Sequence, residues 1–188
     1  VLCRKCAPLV NLCLALIKNG QTATIKGNDL ANELKQMALN IKGNTIEDVK
    51  DYTTKELENL KNYFISAYGM DESSAKNTRP YLMLLDKCEC LLYLAESANG
   101  NIKAIIDKVF SETKIANAIT LMSIHKAKGL ESDRVVFLEP NLNAKKSKKQ
   151  MQWQFDQEQN LQYVAVTRAK KELVLCATST LPKEKKKK

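Results

Sequence analysis

Two stretches of this sequence place charged and hydroxyl side chains where apolar runs stop. The first is Leu121-Met-Ser-Ile-His-Lys-Ala-Lys-Gly-Leu-Glu131, in which an apolar run gives way to Ser123, His125, Lys126, Lys128, Gly129 and Glu131. Ligands of open α/β sheets bind beyond the carboxyl ends of strands, and a loop leaving an apolar strand starts there. Gly129 permits a tight or left-handed turn, and the flanking lysines suit phosphates. From the residues alone the loop is either a phosphate-binding element or a charged surface turn. The second stretch is Asp156-Gln-Glu-Gln-Asn-Leu-Gln-Tyr-Val-Ala-Val-Thr-Arg-Ala169. At helical spacing Leu161, Val164, Ala165 and Ala169 share one face, with Arg168 beside it. An arginine near a packed face cannot shed its charge, so it needs an anion, either a carboxylate in a salt bridge or a phosphate. Arg4, just past the first apolar run, is a second such arginine.

The elements that must position these residues alternate at the two ends of the chain. Val1 to Cys3 reads as the end of a strand, Ala7 to Lys18 as a mostly apolar helix stopped by Asn19-Gly20, and Ala23 to Ile25 as a short strand. From Asn28 the period becomes helical: Leu30, Leu34, Met37, Ala38 and Ile41 share a face that Asn28 caps and Gly43 ends. Thr53-x-x-Glu56 reads as a capping box before Leu57, Leu60 and Phe64. Pro80 opens a further helix closed by Asn99-Gly100, and Ile102 to Val109 forms the last. Strand signals return at Ile119–Ile124 and Val135–Leu138. A helix is expected around Gln157–Lys170, then a buried strand at Leu173–Cys176. Short β-branched strands joined through helices predict a parallel sheet covered on both faces. The expected layout is an α/β domain built from residues 1–27 and 115–181, interrupted by an all-helical insertion at 28–114 that packs as its own subdomain. A basic disordered tail is expected at 182–188.

Charge and cysteine content narrow the class. The net charge of +9 is nearly all in two runs, Lys145–Lys149 with four lysines and Lys183–Lys188 with five lysines and one glutamate. The body of the chain is close to neutral, so the charge by itself does not identify a nucleic-acid binder. The six cysteines lack zinc-site spacing: Cys3-x-x-Cys6 has no matching second pair, and His125, the only histidine, is far away. Reduced buried thiols and a cytoplasmic location are the expectation, with no metal ligands in the chain. No apolar run approaches the length of a membrane helix. The missing initiator methionine fits a piece of a longer protein, and equally a processed chain.

Taken together, the motifs resemble a known family. Ser123-Ile-His-Lys-Ala-Lys-Gly-Leu-Glu131 resembles motif V of the UvrD/Rep-like superfamily 1 DNA helicases. Glu158-x-x-Leu-x-Tyr-Val-Ala-Val-Thr-Arg-Ala169 resembles their motif VI, and Val1-Leu-Cys-Arg4 followed by a helix is similar to their motif IV. The resemblance covers roughly 1–27 and 115–178. It implies the C-terminal, second RecA-like domain of a motor that holds ATP and Mg²⁺ in the cleft between two such domains, with single-stranded DNA across their top. By motif position, Arg168 and Arg4 would reach the γ-phosphate as catalytic arginines, Glu131 and Gly129 would line the nucleotide site, and Glu131 would meet the ribose. Ser123, His125, Lys126 and Lys128 would contact DNA or couple it to the nucleotide. Ser123 stands where the family has threonine, Ser132 replaces an aromatic, and Gln157 and Gln159 replace charged residues.

No G-x-x-x-x-G-K-[ST] string occurs, and no Asp-Glu pair follows an apolar strand. The groups that would cradle the phosphates and hold Mg²⁺ are expected on an N-terminal RecA-like domain. The chain is therefore expected to be inactive as an ATPase alone. Two alternatives stay open: a catalytically silent nucleic-acid-binding adaptor with this fold, and an RNA-directed helicase of the same superfamily.

Overall fold

The computed structural model describes residues 1–43, 45–98, 100–111, 115–139 and 152–177. The strands are β1 (Leu2–Cys3), β2 (Ala23–Lys26), β3 (Ile119–Ser123), β4 (Ser132–Leu138) and β5 (Ala169–Cys176). All their pairings are parallel, in the order β2-β3-β1-β4-β5. Helix α1 (Ala7–Lys18) joins β1 to β2, a 3-10 turn at Ile124–Ala127 joins β3 to β4, and α7 (Gln152–Val166) precedes β5. Between β2 and β3 run α2 (Asn28–Leu39), α3 (Ile46–Tyr68), α4 (Glu72–Lys76), α5 (Arg79–Ser97) and α6 (Ile102–Val109). This is the expected α/β sheet of RecA-like type, with a helical segment inserted.

Alternation along the strands splits the core into two layers. Leu2, Val135 and Phe137 pack with Ile124, Ala127 and the α7 residues Leu161 and Ala165. Cys3, Leu121, Leu138 and Ile25 face the other way, onto Leu9, Val10 and Cys13 of α1. The lysine run 145–149 and the basic tail lie outside the described residues.

The helical segment is not packed separately, contrary to the sequence expectation. Leu34, Val49, Leu91, Leu94, Ile106 and Val109 belong to the same buried cluster as α1 and β2. The outer edge of β2 is closed by the end of α6. Phe110 bridges Ile25 in parallel, the Ser111 amide donates to the Ile25 carbonyl at 3.0 Å, and Thr24 Oγ1 donates to the Val109 carbonyl at 3.3 Å. A sheet edge left open would present unpaired amides and carbonyls, and here the segment covers it. The division of the chain at 27/28 is one of topology, which packing crosses.

Several element ends also differ from the sequence reading. Gly27, not Asn28, caps α2, which stops at Asn40. The capping box lies at Thr45 and Asp48 rather than Thr53 and Glu56. Thr53 is buried mid-helix, its hydroxyl bonded to the Val49 carbonyl at 2.9 Å. Helix α7 ends at Val166, so Arg168 and Ala169 lie beyond it. Strand β5 is not buried: it is an edge strand, only Leu173 of its apolar run packs against the α7 layer, and Val174 and Leu175 are 38% and 59% exposed.

Candidate functional site

The turn from α7 into β5 determines where Arg168 points. The Thr167 hydroxyl bonds back to the Tyr163 carbonyl at 2.9 Å, closing the helix. Arg168 Nε donates to the Val164 carbonyl at 3.0 Å, so the arginine caps the helix it follows, where a cation also suits the helix dipole. Its other bonds run from Nη1 to the Leu130 carbonyl at 3.2 Å and from Nη2 to Thr167 Oγ1 at 3.0 Å. None of these partners is a carboxylate. A guanidinium has five N–H donors, so two remain for a further acceptor.

The first motif is fastened to the second at this point. The Ser132 amide donates to the Arg168 carbonyl at 3.0 Å, and Ser132 pairs with Ala169 across β4 and β5. Glu131 is exposed beside them, 3.4 Å from Lys170 Nζ. Gly129 takes φ +82°, the left-handed turn its sequence position suggested. Arg168 and Glu131 line one open groove of about 1340 Å³, whose walls include Val1, Lys26, Thr120 and Ser132.

A second cluster forms at the other end of the sheet. Arg4 leaves β1 and grips Glu158 of α7 with a fork: Nη2 to Oε1 at 2.8 Å, and Nε to Oε2 at 2.9 Å and Oε1 at 3.2 Å. This pair holds the Arg4 guanidinium above its usual range. Desolvation, and then the Arg4 cation, lower the pKa of His125, in the 3-10 turn, from its ordinary value. Glu158 opposes that shift, and Arg79 at the start of α5 adds to it. Lys126 Nζ pairs with Asp29 Oδ2 at 2.9 Å, Lys128 is exposed, and Ser123 is half-buried at the end of β3.

The structure therefore brings Arg168, Glu131 and Gly129 together, and separately Arg4, Ser123, His125 and Lys126. It does not bring Arg4 to Arg168. Leu2 pairs level with Phe137 and Phe137 with Leu175, so Arg168 lies seven residues below the level of Leu2. At about 3.3 Å per residue that is roughly 20 Å, with Arg4 on the far side. The physical reason is the crossover between β3 and β4: it starts at the carboxyl end of the sheet and finishes at the amino end. Its first residues and Glu131 cannot share one site.

Sequence reasoning missed Glu158 as the partner of Arg4, and it missed Asp86. Both oxygens of the Asp86 carboxylate accept backbone amides at the start of α1, from Cys6 at 2.8 Å and Ala7 at 2.9 Å. The available signal was a single acid directly after the apolar run Tyr81–Leu85. Cys3, Cys13, Cys88 and Cys90 are buried, as expected, but Cys176 is exposed because β5 is. Burial pushes the Cys3 and Cys13 thiols up to about 11 and those of Cys6 and Cys88 up to about 12. Among the described residues no group of three or more His, Cys, Asp or Glu is arranged to hold a metal ion. No helix among them is long and apolar enough to cross a membrane.

Comparison with curated proteins gives no match. Comparison with protein families gives one, the UvrD-like helicase C-terminal domain, over residues 11–180. That span takes in both motif stretches and the whole helical segment, and leaves Arg4 outside it. A parallel five-stranded sheet, the two motif stretches fastened at Ser132 and Arg168, and a family match over most of the chain agree: the chain belongs to the UvrD-like helicase C-terminal domain family.

Proposed function

We propose that this chain is the second motor domain of an ATP-dependent DNA helicase, completing an ATP site held mainly by an N-terminal RecA-like domain. Arg168 contacts the γ-phosphate, Glu131 exchanges Lys170 for the ribose hydroxyls, and Gly129 lets the turn approach the nucleotide. The observation that carries this reading is the bonding of Arg168: two carbonyls and a hydroxyl fix its direction, and among the described residues no carboxylate pairs with it. An arginine held this way is preorganised for charge that builds on phosphoryl oxygens in the transition state. Mg²⁺ would be held by the partner domain and the nucleotide, supplying charge neutralisation at the β- and γ-phosphates.

Single-stranded DNA is assigned to the opposite end, across Ser123, His125, Lys126 and Lys128. Arg4 is reassigned from the phosphate to this end, where Glu158 already holds it. The β3–β4 crossover, which carries His125 at one end and Glu131 at the other, is the physical link between the two sites. The test is steady-state ATP hydrolysis by the two-domain protein with and without single-stranded DNA. Lys126→Ala with Lys128→Ala should raise the DNA concentration needed for half-stimulation and leave the KM for ATP unchanged. Equal stimulation of parent and variant by DNA would sink the DNA assignment, and stimulation by RNA alone would move the chain to the RNA-directed reading.

A further inference from the structure

Helix α1 starts without a cap of its own. Cys6, at its N-cap, has φ −87° and ψ −33° and makes no side-chain cap bond. A side-chain cap needs the extended conformation at that position, which Cys6 does not have. No acid stands in the first turn, and Pro8 brings no N–H. The free amides of Cys6 and Ala7 are instead taken by Asp86, 80 and 79 residues away on α5.

Asp86 fixes more than a helix end. The two amides it holds follow Arg4 and Lys5, so they set the path of the turn that carries Arg4. From that turn Arg4 forks onto Glu158, near the middle of α7, and α7 ends in the capped turn that aims Arg168. Every link is a direct hydrogen bond between packed elements: α5 to the α1 start, that turn to Glu158, and α7 to Arg168. We propose that Asp86 is a positioning residue, coupling the inserted helices to the phosphate-facing arginine through the Arg4–Glu158 fork. Its effect on turnover rests on the role proposed above for Arg168, whereas its effect on Arg4 does not. The electrostatics agree, since Asp86 is among the acids that raise Arg4 above its usual range, after Glu158.

Two measurements test this. In the chain as it stands, the Arg4 Nε–H should give a slowly exchanging NMR signal that is lost in folded Asp86→Ala. Asp86→Asn keeps the shape and one acceptor, and should fold with partial loss if Asp86→Ala does not fold. An unchanged Arg4 signal in either folded variant overturns the proposal. In the two-domain helicase, Asp86→Asn should lower kcat about tenfold with the KM for ATP unchanged, because binding of the nucleotide does not use this path. In a Glu158→Ala background the same substitution should lower kcat no further, whereas a merely structural role gives additive losses. Additivity overturns the coupling. Arg168→Ala with normal kcat would instead remove the function proposed for Arg168 and leave the Arg4 signal as the test of Asp86.

Discussion

Arg168 bonds the Val164 and Leu130 carbonyls and the Thr167 hydroxyl, and the γ-phosphate role proposed for it forecasts what its loss should do. Arg168→Ala in the two-domain protein should bind ATP about as well as the parent, since the arginine acts on charge that develops only in the transition state. The kcat should fall by roughly 10³–10⁵, the range for arginine fingers, and Arg4 offers no substitute because it sits at the other end of the sheet. Arg168→Lys should not restore it, because a point charge cannot keep the Val164 and Leu130 bonds and also reach a phosphate. Stopped turnover assays beside melting temperatures check this; a destabilised protein with normal kcat per folded molecule would end the assignment. His125 offers a pH measurement. Desolvation and the Arg4 cation hold its pKa below the ordinary histidine value, so its neutral form is favoured. Arg4→Gln removes a repelling cation and frees Glu158, and both changes should raise the His125 pKa in an NMR titration. At this scale the motif strings made Arg168, Glu131 and His125 legible. Asp86 and Glu158 were not, because their partners are 80 and 154 residues away and only the packed sheet brings them close.

Helix α3 shows what sequence carries about an element and what it leaves out. Its apolar spacing marked a helix, but two Ser/Thr-x-x-acid patterns competed for its start, Thr45 with Asp48 and Thr53 with Glu56. Thr45 won because its side chain takes the Asp48 amide at 3.2 Å while Asp48 returns a bond to the Thr45 amide at 2.8 Å. Thr53 lies one turn behind the buried Val49, where its hydroxyl is satisfied by helix carbonyls. Thr45→Ala should therefore cost about 1 kcal/mol in thermal or denaturant unfolding. Gly43 should be equally sensitive: it has φ +129°, and an added Cβ would collide with the Asp48 carboxylate, disturbing the same cap. A Thr45→Ala protein that unfolds with the parent would mean the box contributes nothing. The strand β5 failed in the other direction. Its apolar run looked like a buried strand, but β5 is an edge strand paired only with β4, and Leu173 packs against the α7 layer while Val174 and Leu175 stay exposed.

For the molecule as a whole, alternating strands and helices were enough to anticipate a parallel sheet with an insertion, yet not how the two share a core. Periodicity reports which face of a helix is apolar and nothing about what that face will meet. Because Leu34, Leu91, Leu94 and Ile106 share one buried cluster with α1 and β2, deleting 28–114 should leave a chain that does not fold. Each large apolar side chain returned to water costs about 1.5–3 kcal/mol, and several together approach the roughly 5–15 kcal/mol that stabilises a domain. Circular dichroism of the deletion joined by a short linker checks this, and a cooperative α/β unfolding transition would refute it. The strand order carries a further consequence, for the order of events during synthesis. Strands β1 and β2 are not neighbours; both pair with β3, which begins at Ile119. At about 5–20 residues per second, the ribosome takes roughly 6–23 s to travel from Cys3 to Ile119. Throughout that interval the two strands that flank β1, β3 and β4, are not yet made, and β2 has only the Phe110 bridge near its end. The inserted helices emerge during this wait and can cover the apolar side of α1 and β2, acting as a built-in escort until β3 slots between the two strands.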